Sequence, residues 1–130
     1  MDKEIICLDT SVFIDYFRKQ KKEKTFLVEL ADNYDFAISV ITKLEISVGI
    51  SNGHNQFWDS IFEKLTILPL SEPDVDIASN IIQNLKKANK IIGLPDILIA
   101  STVISNNLRL ATLNLKDFER IDNLKIIKKE

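Results

Sequence analysis

The chain is poor in the residues that form disulfides, zinc sites and flexible linkers. Its 130 residues include 1 Cys, 1 His, 3 Gly and 3 Pro. A single cysteine excludes an intramolecular disulfide and is typical of proteins from a reducing cytoplasm. A single histidine excludes zinc sites built from several histidines and does not favour a Ser-His-Asp triad. So few glycines and prolines argue against long flexible linkers.

Long apolar runs and an excess of positive charge are missing as well. No segment approaches the roughly 20 apolar residues that a membrane-spanning helix needs. The first apolar run is too short for a signal peptide and ends at Asp9. Because 17 Lys and Arg stand against 19 Asp and Glu, the net charge is -2, and any binding of nucleic acid must depend on a local patch. We therefore expect a cytoplasmic protein that makes no contact with a membrane.

Composition and hydrophobic periodicity predict a globular α/β protein. Hydrophobic residues make up 45% of the chain and charged residues 28%, and the length suits one domain over residues 1–130. Short β-like runs alternate with helical periods, which predicts a three-layer sandwich around a central, mostly parallel sheet of about five strands. Cys7 lies in an apolar run and is expected to be a small buried hydrophobic residue rather than a reactive thiol.

The same patterns give bounds for each element. The expected strands cover 4–8, 36–40, 66–70, 109–113 and 125–127, and Pro69 indicates a sheet edge or a strand end. The expected helices cover 12–18 with Ser11 as N-cap, 22–32, a stretch from Thr42 to Gly49 or Gly53, 54–65 with His54 exposed at its start, 73–89, and an almost wholly apolar helix that opens at 93–96 and ends at 104.

Four acidic residues stand out because of their positions relative to these elements. Asp9 directly follows the first strand, and Glu45 lies in the first turn of the helix after the second strand. Asp117 lies shortly after the fourth strand. Ligands bind outside the carboxyl ends of the strands in a parallel sheet, so we expect these three acids at one edge. Asp96 opens the apolar helix and joins them only if that helix begins at the same edge.

Each acid also has a purely structural explanation. Thr42 and Glu45 match a capping box, and Asp96 in a first helical turn benefits from the helix dipole. Asp9 could cap the helix that follows it, and Asp117 could be a solvated turn residue. These alternatives stay open at the level of the sequence.

Taken together, carboxylates gathered at one edge favour a metal site. A pair of like charges about 4 Å apart costs on the order of 4 kcal/mol at a surface-like dielectric. A hard cation relieves this repulsion, and all-oxygen ligation without His or Cys suits Mg²⁺ or Mn²⁺ better than Zn²⁺. Such a cation can activate water and stabilise charge on a phosphodiester.

Four segments resemble, in order, the motifs of the PIN-domain family, and together they span nearly the whole chain. They are LDTS with FID at 8–15, ITKLE with Gly49, GLPDILIA at 93–100 and LATLNLKDF at 110–118. The likeness is greatest to the VapC group, the toxin ribonucleases of prokaryotic toxin–antitoxin pairs. This resemblance implies a Mg²⁺-dependent endoribonuclease that hydrolyses RNA, forms a homodimer and is held inactive by a cognate antitoxin.

The resemblance also implies roles for individual residues. Carried over by motif, Asp9, Glu45 and Asp96 are the metal ligands. Many relatives carry Asp where this chain has Asn114, which leaves Asp117 as the remaining acidic candidate for catalysis. Asn114 can still orient a water molecule or a phosphate, but it brings no charge. Two small hydroxyl residues also match positions near the family's site, Ser11 and Thr112.

The densest basic stretch follows the Asp9 loop and is the predicted surface for RNA. Phosphate contacts there would depend on salt concentration. The candidate residues are Arg18, Lys19, Lys21 and Lys22. A second basic cluster, over 86–90, is better explained as a solvated helix end. The sequence shows no interleaving of aromatic and basic residues of the kind that stacks single-stranded bases.

Other interpretations of the chain compete with this one. A catalytically inactive PIN-like module for binding or assembly is favoured only by Asn114. A metal-dependent nuclease or phosphatase acting on another substrate is a further alternative. Phosphatases with an Asp-x-Asp motif after the first strand are disfavoured, because the residue two positions after Asp9 is Ser11. The aromatic face of Phe57, Trp58 and Phe62 is expected to be mostly core, with an antitoxin helix or a second copy as the alternative.

Overall fold

The computed structural model describes residues 2–50 and 55–130. Within them, the centre of the molecule is a sheet in which every strand pair is parallel. Its strands are β1 (Glu4–Leu8), β2 (Tyr34–Ser39), β3 (Thr66–Leu68), β4 (Leu110–Ala111) and β5 (Ile126–Ile127). Their order across the sheet is β3-β2-β1-β4-β5.

Helices connect these strands and cover the sheet. They are α1 (Thr10–Arg18), α2 (Phe26–Ala31), α3 (Val40–Glu45), α4 (Asn55–Glu63), α5 (Glu72–Lys87), α6 (Leu94–Ser105) and α7 (Leu115–Phe118). A short 3-10 turn (Lys22–Lys24) precedes α2, and a π-helical turn (Ile46–Ile50) continues α3. No helix in the described segments is long and apolar enough to cross a membrane.

Alternation along the central strand produces two cores, one on each side of the sheet. Ile6 and Leu8 of β1 pack in a cluster with α1, α2 and α4. Cys7, between them, packs in a second cluster with α5, α6 and α7. Leu110 and Ala111 of β4 divide between the two clusters in the same way, because successive side chains of a strand point to opposite faces. The predicted three-layer α/β sandwich with a parallel sheet is confirmed.

A hydrogen-bonded contact joins the start of α5 to the end of α6, the two longest helices. The Asp74 carboxylate, at the start of α5, accepts the Ser71 backbone N–H at 3.0 Å. It also accepts the hydroxyl of Ser105, the last residue of α6. The two helices therefore run antiparallel, and the first turn of α6 lies at the opposite end from this contact.

The expected start of the first helix is wrong by two residues. Asp9, not Ser11, is the N-cap of α1, because its carboxylate accepts the Ser11 backbone N–H at 3.4 Å. The expected helix over 22–32 is also wrong at its start. Thr25 has an extended backbone (φ -80°, ψ 156°) and separates the 3-10 turn from α2.

The helix after β2 begins earlier than the capping-box pattern indicates. Ser39 is its N-cap, and the Ser39 hydroxyl accepts the backbone N–H of Thr42 at 3.1 Å. Strand 36–40 therefore becomes Tyr34–Ser39, and Thr42 lies inside the helix. Glu45 then stands at the end of α3 instead of in its first turn, so the capping-box explanation of Glu45 is wrong.

Several further elements are shorter than the patterns indicate. Strand 66–70 ends at Leu68, directly before Pro69, and β3 lies at the edge of the sheet as expected. Strand 109–113 is reduced to Leu110–Ala111, because Thr112 begins a turn in which its hydroxyl accepts the Asn114 N–H. Helix 73–89 becomes Glu72–Lys87 and strand 125–127 becomes Ile126–Ile127. The expectations for Gly53 and His54 fall outside the described residues.

The aromatic face of α4 is mostly core, as expected. Trp58 is 2% exposed, and Phe13 and Phe62 lie near it with ring centroids at 6.1 and 6.2 Å. Phe57 also contacts Trp58 but remains 45% exposed.

Cys7 provides a test of the central layer. Burial raises the pKa of its thiol to about 12, with a smaller contribution from the Asp9 charge. Because the thiolate is the reactive form, we expect iodoacetamide to label Cys7 only after unfolding. Mass spectrometry with and without denaturant measures the labelling. Rapid labelling of the native protein would contradict the packing described for β1.

Candidate metal and nucleic-acid site

The polar residues singled out by the sequence meet outside the carboxyl end of the sheet. Asp9 follows β1, α3 leads from β2 to Glu45, and Thr112 follows β4. β1 lies between β2 and β4, so the chain leaves the centre of the sheet in opposite directions on its two sides. A crevice forms at such a switch point, and ligands of open parallel sheets bind there.

Hydroxyl groups fix the Asp9 side chain, which is only 3% exposed. Its Oδ2 accepts the Ser11 hydroxyl at 2.7 Å and the Thr112 hydroxyl at 2.8 Å. The Ser11 oxygen in turn accepts the backbone N–H of Leu113 at 3.0 Å, which ties α1 to the loop after β4. Within the described residues these hydrogen bonds all converge on Oδ2, so Oδ1 is left for another partner.

Thr10 holds Glu45 in a similar way. The Thr10 hydroxyl donates to Glu45 Oε1 at 2.7 Å and lies 3.3 Å from the buried Thr42 hydroxyl. The shorter contact, to a carboxylate, is the stronger of the two. Sequence reasoning missed Thr10 because it placed the helix start at residue 12. With α1 starting at Thr10, this side chain faces α3.

Asp96 lies at the same edge as the other acids, which answers the question that the sequence left open. It is in the first turn of α6. The Asn114 amide donates to Asp96 Oδ2 at 3.4 Å and to Asp117 Oδ2 at 3.3 Å. Both bonds are long, but they place a neutral donor between two carboxylates.

Asp96 lies close enough to the other three acids for their charges to raise its pKa. Burial, and after it the charges of Asp9, Glu45 and Asp117 in decreasing order, together raise this pKa from 3.8 to about 6. The dipole of α6 favours the ionised form but does not offset these effects. The ion pairs found within residues 2–50 and 55–130 join other side chains, so no Lys or Arg of the described chain forms an ion pair with these four acids.

The donor chemistry fits a hard divalent cation. The cluster offers carboxylate, hydroxyl and amide oxygens, which are the ligands that Mg²⁺ and Mn²⁺ prefer. Among the described residues no three acidic, histidine or cysteine side chains form a ready-made metal cage. Instead the acids accept hydrogen bonds from neighbouring hydroxyl and amide groups. The site is an open set of like charges that a cation would stabilise.

The basic residues that follow the Asp9 loop differ in their surroundings. Some form contacts within the protein, and one lies near the carboxylate cluster. Lys19 pairs with Asp15 at 3.0 Å. The Lys22 ammonium donates to three backbone carbonyls at the end of α1, at 2.6 to 3.2 Å, and so satisfies that helix end. Lys21 is exposed. Arg18 lines a cleft that also contains Glu45. The second cluster, Lys86, Lys87 and Lys90, is exposed at the end of α5.

Comparison with known proteins gives a consistent set of relatives. The family model of the PIN domain matches residues 6–124. Ribonuclease VapC1 of Methanocaldococcus jannaschii is 39% identical over 117 residues, which cover 89% of this chain and 80% of the relative. The structure of VapBC2 from Rickettsia felis, bound to a DNA fragment from their promoter, superimposes with a TM-score of 0.80 at 27% identity and covers 97% of this chain and 99% of that one. A toxin–antitoxin complex from Klebsiella pneumoniae gives a TM-score of 0.75 at 27% identity, covering 94% and 95%.

The charge repulsion at Asp96 should be measurable as stability. Folding raises its pKa from 3.8 to about 6, so ionised Asp96 destabilises the fold as the pH rises above 3.8, and the full effect is reached above 6. In chelator, Asp96→Asn should therefore stabilise the protein above pH 6 and have little effect below about pH 4. Since the group is partly exposed, we expect on the order of 1 kcal/mol after allowing for solvent screening.

Thermal melts of both proteins across this pH range test the expectation. A difference in Tm that does not change with pH would mean that the effect of Asp96→Asn is not electrostatic.

Proposed function

Because the chain belongs to the PIN-domain family, we propose that it is an endoribonuclease that hydrolyses RNA phosphodiesters with the help of Mg²⁺ or Mn²⁺. The observation that carries the proposal is the cluster of Asp9, Glu45, Asp96 and Asp117, which lies at the carboxyl edge of the sheet without a cationic partner among the described residues. The ribonuclease named above, 39% identical over most of both chains, supports RNA as the substrate.

In this proposal Asp9, Glu45 and Asp96 hold the cation. When bound, the cation supplies a Lewis acid that activates water and stabilises charge on the phosphodiester. Asp9 presents one oxygen to it while Ser11 and Thr112 hold the other. Among the described residues, which do not include the single histidine, no Ser or Cys at this site is paired with a histidine. We propose direct hydrolysis without a covalent enzyme intermediate.

Asn114 and Asp117 complete the proposed site. The Asn114 amide has one donor toward Asp96 and one toward Asp117, and these groups together orient water or a phosphate oxygen. Asn114 brings no charge of its own. Asp117 is then the acid available for proton transfer outside the set of metal ligands.

We further propose that the protein is the toxin of a toxin–antitoxin pair, with a cognate antitoxin and a second copy of this chain as partners. Solved relatives are toxin–antitoxin complexes, and this supports the antitoxin. Leu44, next to Glu45 in the sequence, and Val48, three residues after Glu45, are 59% and 74% exposed, which is typical of a surface that a protein covers. In this proposal residues 1–130 form one nuclease domain that acts on cellular RNA in the cytoplasm.

The activity can be tested with purified protein and mixed cellular RNA. We expect cleavage with Mg²⁺ or Mn²⁺ and none with chelator. Asp96→Asn, which keeps the side-chain volume but removes one ligand charge, should reduce the rate by roughly a hundredfold or more. Gel analysis of RNA and of single-stranded DNA in parallel determines whether the substrate is RNA.

Two results would speak against the proposal. Equal cleavage by the native protein and Asp96→Asn would mean that the activity arises elsewhere. Binding of Mn²⁺ by protein freed of any co-purified partner, with no cleavage of either nucleic acid, would favour the inactive binding module.

The Thr10 hydroxyl should contribute to cation binding by positioning Glu45. Thr10→Val keeps the shape of the side chain but removes the donor, and we expect Mn²⁺ affinity to fall roughly tenfold in calorimetry without RNA. Thr10→Ser keeps the donor and should bind nearly as well as the native protein. If the two variants bind Mn²⁺ equally, the hydrogen bond to Glu45 does not position this carboxylate.

A further inference from the structure

A cleft extends from Glu45 of the carboxylate cluster along one side of α1, from its first residue, Thr10, to its last, Arg18. It has a volume of about 370 Å³, which lies within the range of small-ligand pockets. Its lining residues are Thr10, Ile14, Phe17, Arg18, Glu45 and Gly49. Glu45 belongs to both the cleft and the cluster, and Thr10 donates to Glu45 from within the cleft, so whatever occupies the cleft lies next to the proposed hydrolytic centre.

The cleft combines an aromatic ring with a guanidinium group. Phe17 is 39% exposed, and its ring packs in a tilted arrangement against the buried Trp58, with 6.3 Å between the ring centroids. Arg18, the next residue, is exposed at the end of α1. Proteins that bind single-stranded nucleic acid use this combination, since any base can stack on the ring and the cation attracts the backbone phosphate.

Gly49 lines the cleft and leaves room for a larger side chain. Among the described residues, a Cβ built at Gly49 would have no heavy atom within 4 Å. Gly49 belongs to the π-helical turn that continues α3, and such turns are frequent at functional sites. The cleft can therefore be filled by substitution at this position without displacing the surrounding protein.

We propose that this cleft binds the nucleotide adjacent to the scissile phosphate of single-stranded RNA, with its base on Phe17 and its backbone phosphate on Arg18. The inference rests on the proposed ribonuclease function and adds a substrate subsite to it. A polypeptide segment is the competing occupant. RNA is favoured because the cleft is continuous with the carboxylates and provides a cation for phosphate beside a ring for a base.

The stacking contact is tested by equilibrium binding of a fluorescein-labelled, mixed-sequence single-stranded RNA. Asp96→Asn is the background, with Mg²⁺ present, so that the probe is not cut. Phe17→Leu should weaken binding roughly tenfold, while Phe17→Tyr keeps a ring and should bind nearly as the parent does. Phe57→Leu is the matched control, because Phe57 is exposed and contacts the same Trp58 but does not line the cleft.

The phosphate contact is tested by the salt dependence of the same binding. Arg18→Gln should reduce the slope of log affinity against log salt by about one contact, and Arg18→Lys should restore it. Lys64→Gln removes an exposed charge away from the cleft and should leave the slope unchanged.

Filling the cleft gives a third, independent measurement. Gly49→Leu should weaken RNA binding roughly tenfold, whereas Gly49→Ala should bind nearly as the parent does. Both variants should melt near the parent temperature and, in the native background, keep the native Mn²⁺ affinity, since the metal site is not altered.

The outcomes separate the subsite from the function. If the native protein cleaves RNA but Phe17→Leu and Gly49→Leu bind the probe as the parent does, the subsite is wrong and the ribonuclease proposal stands. The same holds if Phe57→Leu weakens binding as much as Phe17→Leu, because the effect then passes through Trp58. If the native protein neither binds nor cleaves RNA, both proposals fail.

Discussion

Mutual repulsion among carboxylates is the constraint on which the functional end of this molecule depends. Asp9, Glu45, Asp96 and Asp117 come from four separate segments, and no described cation balances them. Left alone, such charges would separate. Packing prevents this, because the last three residues of β1 are buried and α6 is fixed at its far end by the contact between Asp74 and Ser105.

Neutral hydrogen-bond donors lower the free-energy cost of holding these carboxylates together. Hydroxyl groups on Ser11 and Thr112 point at Asp9, Thr10 points at Glu45, and the amide of Asn114 bridges the other two acids. These bonds stabilise the charged forms without removing charge. The attraction for a divalent cation is thereby retained, and each carboxylate is held in one orientation before the cation arrives.

The sequence predicted the layers and the acids better than it predicted the helix starts. Buried alternation in β1 and the order of the motifs were enough for the fold, because both reflect the whole chain. A helix start depends on which of several neighbouring side chains accepts a hydrogen bond from a backbone N–H in the first turn. Here the N-caps are Asp9 and Ser39, whereas the sequence patterns indicated Ser11 and Thr42. The partner of Thr10 lies 35 residues away and carries no local signal.

The cleft beside the cluster was invisible in the sequence for a related reason. Phe17 and Arg18 form only one adjacent pair, which no spacing rule distinguishes from a helix end. Their meaning depends on Glu45 and Gly49, which reach the same place only after α3 has packed against α1. Local patterns predict elements, whereas a binding surface requires the contact between elements.

Asp9 has a structural role in addition to its proposed role in the site. Its Oδ2 caps α1 and accepts the hydroxyl of Thr112 in the loop after β4, while its Oδ1 accepts none of these hydrogen bonds. A change at Asp9 therefore disturbs the architecture together with the chemistry. Asp96 lies in α6, which packing and the contact between Asp74 and Ser105 hold in place. Loss of the Asp96 charge relieves electrostatic repulsion among the acids. A variant that keeps the native fold but lacks one carboxylate of the cluster would therefore arise more readily through Asp96 than through Asp9.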